Sequence, residues 1–370
     1  MSSNRKAEIS VNKEEKSKIR VSAPGRIVFA GEHQDYFSLP VISAAISVRI
    51  SIEGHLLKNK PFARLHLQNM RRTLNIPLNF PIQYRFRRSY LKSGLNVFNR
   101  AGFKIPGFEA EISSKIPQNA GLSSSSALCV AWARFLLEIC DSGNDPSSKT
   151  VADWAHKIEV EEFNEPGGQQ DQLASALGGI NYMQFPYERS AEYQELEALY
   201  PINVVVGHSL IRKNTIRTLL RIRRLVAEAL KQMYGKPELK YLSRIQVDQI
   251  EQTEREFTTL KGILKIRDLT QQMRLIIRDD KPLEWWGRLL NEQHTVLRDY
   301  LHLSLPKIEN MVENSLKAGA YGAKINGSGN GGCMFALCHE DNVKKIAKGI
   351  EEAGGKPYIV HIDKGVRLEE

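Results

Sequence analysis

Pro117-Gln118-Asn119-Ala120-Gly121-Leu122-Ser123-Ser124-Ser125-Ser126-Ala127 leads from a glycine and four serines straight into an apolar segment. In that segment Leu128, Ala131, Phe135, Leu136 and Ile139 recur at helical spacing, which predicts a helix over Ser124–Cys140. A helix start exposes unpaired backbone N–H groups and the positive end of the helix dipole. Small residues let a phosphate come close to those groups, so the stretch reads as an anion site. Serine hydroxyls also offer the oxygen ligands that Mg²⁺ prefers. A helix cap needs only one serine, and four in a row exceed that need.

Three other stretches carry polar residues in unusual density. Asn326-Gly327-Ser328-Gly329-Asn330-Gly331-Gly332-Cys333 formally contains G-x-G-x-x-G. A dinucleotide site requires a helix next, whereas the run Cys333–Leu337 is strand-like, so a Rossmann reading is rejected. So many glycines are costly for a plain hairpin, and close approach of backbone to a ligand explains them. Glu159 to Gln172 runs from a predicted helix end across Pro166-Gly167-Gly168 to Asp171. By themselves Glu159 reads as a solvated helix residue and Asp171 as a helix N-cap. Pro24-Gly25-Arg26 leads through an apolar strand into Gly31-Glu32-His33-Gln34-Asp35-Tyr36, a cluster able to grip several hydroxyls. Its spacing fits no common metal site. There is no Walker-type G-x-x-x-x-G-K-[ST] and no protein-kinase H-R-D.

The chain has 370 residues, 42% apolar and 25% charged, which suits about two globular domains and excludes a wholly disordered or fibrous chain. No run of the roughly 18–20 apolar residues needed to span a membrane occurs, and the polar start lacks the apolar core of a secretory signal. Residues 1–18 read as a flexible tail. Cys129, Cys140, Cys333 and Cys338 form no C-x-x-C pair and read as free thiols in a reducing, cytoplasmic setting. The net charge of +10 suits an anionic partner. Cations crowd Arg85–Lys92 and Arg212–Arg224 without an RNA-binding motif, so nucleic acid is not the expected partner.

The remaining pattern is mixed. Residues 19–30 read as two short extended runs around a Pro24-Gly25 turn, Ser47–Glu53 and Phe108–Ser113 as strands, and Lys149–Phe163 as a second helix after an Asp145–Ser148 turn. Ile202–Val206 reads as a buried strand and 215–318 as mostly helical. Ala323–Asn326 and Cys333–Leu337 read as glycine-linked strands, followed by a helix over Asn342–Glu352 and a final strand over Tyr358–Ile362. The domain boundary is expected in the polar stretch Tyr187–Leu199, giving units 19–195 and 196–370.

Taken in order, these motifs resemble those of the GHMP kinase superfamily, over nearly the whole chain from Ile19. The resemblance implies an α+β fold of two domains: an N-terminal domain like domain 2 of ribosomal protein S5, and a ferredoxin-like C-terminal domain with a helical insert. Within the superfamily, Gly31-Glu32-His33-x-Asp35-Tyr36 after Pro24-Gly25-Arg26 is similar to the galactokinases. The resemblance assigns Pro117, Gly121, Leu122, Ser123, Ser124, Ser125 and Ser126, with Gly327 and Gly329, to ATP. It assigns Ser125 and Glu159 to Mg²⁺, Glu32, His33, Asp35 and Gly168 to the sugar, and Arg26 and Asp171 to the reacting anomeric hydroxyl. Gln34 departs from the usual galactokinase threonine, the loop Phe37-Ser38-Leu39-Pro40 is short, and Gly167–Gln172 is more similar to heptose-phosphate and fucose kinases.

Phosphoryl transfer requires positioning and charge neutralisation. The expected division of labour has Asp171 accepting or orienting the hydroxyl proton and Arg26 stabilising developing negative charge. Other acceptors for the same fold are a heptose phosphate, fucose, arabinose, an N-acetylhexosamine or mevalonate. A silent sugar- and ATP-binding regulator is the alternative of another class, against which both Arg26 and Asp171 are present. A monomer or homodimer is expected.

Overall fold

The computed structural model describes residues 18–118, 120–140, 145–187 and 189–369. The expected tail up to residue 17, and Asn119 of the serine-rich stretch, lie outside the described residues. The chain opens with β1 (Ile19–Ala30), β2 (Val41–Leu56), β3 (Phe62–Leu67), β4 (Arg72–Pro77), α1 (Tyr90–Arg100) and β5 (Phe108–Ser114). Then come α2 (Ser124–Ile139), α3 (Ser148–Glu159), α4 (Gln170–Leu177), β6 (Ile180–Gln184) and β7 (Glu192–Glu195). The second half holds β8 (Asn203–His208), α5 (Thr215–Tyr234), α6 (Arg255–Arg278), α7 (Leu283–Asp299), α8 (Pro306–Lys317), β9 (Ala320–Ile325), β10 (Cys333–Cys338), α9 (Val343–Glu352), β11 (Lys356–His361) and β12 (Arg367–Leu368).

β2 is the spine of the first sheet. It pairs antiparallel with β1 along its length, and on its other side with β6 near its start and β5 near its end. The second sheet has the order β11-β8-β10-β9, antiparallel throughout. With α8 and α9 on its connections this is the split β-α-β arrangement of a ferredoxin-like unit, with α5 to α7 inserted after β8. The expected α+β class is what the chain adopts.

The helix predicted from the serine stretch is α2. It buries Trp132, Phe135 and Leu136 completely and packs on β1 and β2. Trp132 stacks on Phe135 at 5.7 Å, and a Cβ on Gly94 of α1 would stand 2.4 Å from the Trp132 indole nitrogen, so α1 approaches only through a glycine.

Several expectations are corrected. Pro24-Gly25 is no turn: β1 runs through it with a break in register, the local kink of a bulge. A Cβ on Gly25 would lie 2.9 Å from the Leu122 carbonyl, which instead accepts from the Arg26 N–H at 3.2 Å. The bulge therefore seats the strand against the serine loop. The helix read over Lys149–Phe163 stops at Glu159, with a short 3-10 turn at Glu161–Phe163. The polar stretch Tyr187–Leu199 contains β7, an edge strand hydrogen-bonded to β6. Tyr358–Ile362 is not the last strand, because β12 crosses back to pair with β1, and the segment after residue 362 therefore belongs to the first sheet.

One buried ion pair ties the two sheets together. Lys324 on β9 donates to the Glu32 carboxylate just after β1 and to the Val28 carbonyl at 3.0 Å, while Gln293 on α7 donates to the other Glu32 oxygen. Burial pushes the Glu32 carboxyl up and the Lys324 ammonium down, and the partner opposes the shift in each. Removing one member leaves the other charged group buried alone. Lys324→Met is expected to cost about 3–5 kcal/mol in chemical denaturation, and Glu32→Leu/Lys324→Met to recover most of it. A near-neutral single variant would show that the pair is dispensable.

Candidate active site

A cavity of about 820 Å³ opens between the two halves. Arg26, Glu32, His33, Asp35, Gly121, Ser123 to Ser126, Glu159, Gly168, Asp171 and Gly327 all line it, although they are scattered over 302 positions of sequence. Pro117, Leu122 and Gly329 do not. Leu122 is buried in the core, and a Cβ on Gly329 would stand 2.6 Å from that of Leu303, so this glycine serves a close packing contact.

Arg26 stands at the centre. Its Nε donates to Asp171 Oδ1 at 2.8 Å and its Nη1 to the Gly121 carbonyl at 2.6 Å. The Arg26 side chain is 4% exposed and that of Asp171 30%, so the carboxylate is the member of the pair open to the cavity. Asp171 sits in the first turn of α4 and does not cap it; the N-cap is Gln169. The Gly121 carbonyl also accepts from Asn326 Nδ2 at 2.9 Å, and Asn326 Oδ1 accepts from the Val28 N–H at 2.9 Å. The two glycine-rich loops thus meet at one carbonyl beside Arg26.

On one side lies the start of α2. Gly121 and Ser123 both have positive φ, 87° and 56°, which turns the chain sharply into the helix. The Ser123 hydroxyl does not cap α2, and its oxygen is buried without a hydrogen-bond partner among the described residues. Ser125 and Ser126 instead face Glu159, which burial pushes up to about 6 while both hydroxyls and Gln172 work against the shift. Gln172 Nε2 holds a Glu159 oxygen at 2.6 Å. Among the described residues no three His, Cys, Asp or Glu side chains converge as a metal cage. A carboxylate beside serine hydroxyls is nevertheless the sparse oxygen set that suits Mg²⁺, whose remaining ligands are phosphate and water.

On the other side lies the polar pocket. His33 has φ 65° and its Nδ1 shares a hydrogen bond with the Tyr36 hydroxyl at 2.6 Å. Burial holds its pKa down to about 3, so the ring is neutral at pH 7, with the Ser328 backbone near enough to oppose that shift. Its Nε2 is buried without a hydrogen bond of good geometry among the described residues. Burial, then the neighbouring Asp171, pushes Asp35 up to about 6. The Gln170 N–H donates to Asp35 at 3.3 Å, and a Cβ on Gly168 would stand 2.1 Å from the same oxygen, so only glycine fits there. Glu32 is present at the wall, but its oxygens are engaged by Lys324 and Gln293. Of these three residues, the polar groups that no side chain engages among the described residues are therefore His33 Nε2 and the Asp35 carboxyl.

The GHMP kinases N terminal domain model matches residues 89–179, the GHMP kinases C terminal model residues 273–356, and the galactokinase galactose-binding signature residues 10–54. The chain belongs to the GHMP kinase family. It is 28% identical to a mevalonate kinase of Thermococcus sibiricus (95% of this chain, 99% of that one) and 25% identical to a galactokinase of Pyrococcus furiosus (90% and 93%). In fold it is similar to the Lactococcus lactis galactokinase complexed with galactose, with a TM-score of 0.83 at 22% identity and 96% of each chain covered. GHMP kinases are phosphotransferases with alcohol acceptors that use ATP, generally with Mg²⁺. Among the described residues of this kinase no helix is long and apolar enough to cross a membrane.

Reading by sequence missed four lining or supporting residues. Gln172 lay inside a motif already singled out, and Lys324 lay within the strand read over Ala323–Asn326, two residues before the glycine-rich stretch. Lys213 stood in the basic run Arg212–Arg224, where nothing local distinguishes it from its neighbours. Gln293 had no signal at all. Of the Arg85–Lys92 cations, Arg85, Arg88 and Lys92 line the outer cavity, and Arg88 also pairs with Glu165 at 2.6 Å.

The raised Asp35 pKa has a consequence for stability. Below about pH 4 the carboxyl is protonated in both folded and unfolded chains. As pH rises through 6 the folded state loses stability relative to a chain without this group. Asp35→Asn should therefore stabilise the ligand-free kinase by up to about 3 kcal/mol at pH 7.5, the gain shrinking towards zero near pH 4. Urea titrations at several pH values check this, and a pH-independent gain would contradict it.

Proposed function

We propose that this GHMP kinase transfers the terminal phosphoryl group of ATP to the anomeric hydroxyl of a sugar, with galactose the leading candidate. The observation that carries the reading is the Arg26–Asp171 pair. It lies where the serine loop at the start of α2 meets the His33–Asp35 pocket. The match to a galactose-binding signature over residues 10–54 supports the choice of sugar.

In this reading the backbone N–H groups around Gly121 to Ser126 cradle the ATP phosphates, with Gly327 closing from the opposite loop. The apolar flank formed by Leu67, Leu74 and Leu128 suits the base. Ser125 and Glu159 would hold Mg²⁺, which neutralises charge on the departing ADP. His33 Nε2 and Asp35 bind hydroxyls remote from the reaction, and a buried polar pocket of this kind rejects acceptors that leave its groups unpaired. Asp171 orients the anomeric hydroxyl and accepts its proton as the new oxygen–phosphorus bond forms. Arg26 holds Asp171 in place and stabilises charge on the acceptor oxygen. The guanidinium is itself fixed by the Gly121 carbonyl, so the acceptor and the phosphate loop share one anchor.

A second reading is a mevalonate kinase. It is favoured by the relatives of that name at 28–29% identity that match 95% of this chain. ADP release measured with Mg²⁺–ATP across galactose, fucose, arabinose, N-acetylhexosamines, heptose phosphates and mevalonate separates the two. Galactose is expected to give the highest kcat/KM, and turnover confined to mevalonate would overturn the sugar reading. Asp171→Asn is expected to lower kcat by roughly a hundredfold or more with the best acceptor; unchanged turnover would remove Asp171 from the mechanism.

A further inference from the structure

We infer that Lys213 is the cation that grips the terminal phosphate of ATP as it passes to the acceptor. The inference rests on the kinase reading above and adds a residue to it. Lys213 lies in the link between β8 and α5, just before the Asn214 N-cap, and its side chain runs into the cavity. Its Nζ is 3.0 Å from where a Cβ on Gly121 would stand and 3.6 Å from one on Gly327, and its Cδ is 3.3 Å from one on Gly332. The lysine therefore threads between the two glycine-rich loops through space that only missing side chains provide.

Its charge is met only in part, through space, by the Asp171 carboxylate among the described residues. Among the described residues Lys213 has no ion pair and no hydrogen bond, because the nearby Asp171 carboxylate bonds to Arg26. Burial, and after it the nearby Arg26 cation, disfavour the charge on Lys213 and bring its pKa down to about 8, with the Asp171 carboxylate opposing the shift. Two cations thus share one carboxylate at the junction of two loops built for close approach. Such a cluster is completed by an anion, and charge-assisted bonds to phosphate oxygens are the strong way to complete it. The position selects which phosphate. Gly121 belongs to the phosphate loop and Arg26 to the acceptor end, so the amine sits where the phosphoryl group crosses between them. In that step the bond from the terminal phosphorus to the ADP oxygen breaks and the bond to the acceptor oxygen forms. The hydroxyl proton goes to Asp171, and Lys213 keeps its own protons and stabilises the equatorial oxygens.

The same amine would also suit a carboxylate or phosphate carried by an anionic acceptor, and the experiment separates the two. Calorimetry without acceptor compares Mg²⁺ complexes of ADP and of the β,γ-imido analogue of ATP, for the parent, Lys213→Met and Lys213→Arg. Lys213→Met is expected to weaken the imido analogue by about ten- to a hundredfold while leaving ADP unchanged, and to lower kcat by about a hundredfold with the best acceptor. Lys213→Arg is expected to restore part of both. Should Lys213→Met melt early, Lys213→Gln carries the same comparison. Unchanged affinity for both nucleotides, with the defect confined to the acceptor KM, overturns the inference in favour of an acceptor anion and leaves the kinase reading intact. A parent protein that binds neither nucleotide overturns the kinase reading itself.

Discussion

The Gly121 carbonyl is the joint on which the site turns. It accepts from Arg26 on β1 and from Asn326 in the loop between β9 and β10, so a strand of the first sheet, the lead into α2 and a loop of the second sheet converge on one oxygen. A buried carbonyl with two good donors fixes all three. Arg26 can then present Asp171 to the cavity, and the glycine loops can stand face to face without side chains between them. The break in register between β1 and β2 at Pro24-Gly25 serves the same end, since it lets Gly25 pass the Leu122 carbonyl closely enough for the Arg26 N–H to bond it.

Around that joint the protein stores unfavourable electrostatics that ligands relieve. Asp35 and Glu159 are carboxyls raised by burial, His33 is a neutral ring with an unsatisfied nitrogen, and Lys213 is a cation without an ion pair or hydrogen bond among the described residues. In the proposed reading a different ligand completes each: hydroxyls for His33 and Asp35, a divalent cation for Glu159, an anion for Lys213. Sites with this distribution of strain bind by completing themselves, which is why their titratable groups stand away from ordinary values. The Glu32–Lys324 pair shows the opposite solution. It is equally buried but internally complete, and it ties the two sheets together.

Much of the fold was legible in local pattern. The helical period after Ser124, the alternation in Ser47–Glu53 and the apolar runs at 202–206 and 333–337 each mark an element that formed, because burial of one face is a local demand. β3, β4 and α1 escaped notice. β3 and β4 are half-exposed with weak alternation, and α1 begins in a run of arginines that reads as surface charge. β12 is two residues long and exists only because β1 offers it an edge. The short polar strand β7 went unread for the same reason, since it pairs on the edge that β6 offers.

The chain alone determined which residue types were available for chemistry and in what order: a glycine–serine helix start, a polar cluster after a strand, a glutamate and an aspartate twelve positions apart, and a glycine-rich loop near the end. Tertiary structure decided which of them face one another. It left Gly329 against Leu303, spent Glu32 on a structural ion pair, and lifted Lys213 out of an ordinary basic run into the space between two glycine loops. The reason is physical. Helical and strand periods are written within a few residues of one another, whereas the partner of a buried charge comes from whatever segment the packing brings beside it, and in this protein that segment lies up to about three hundred residues away.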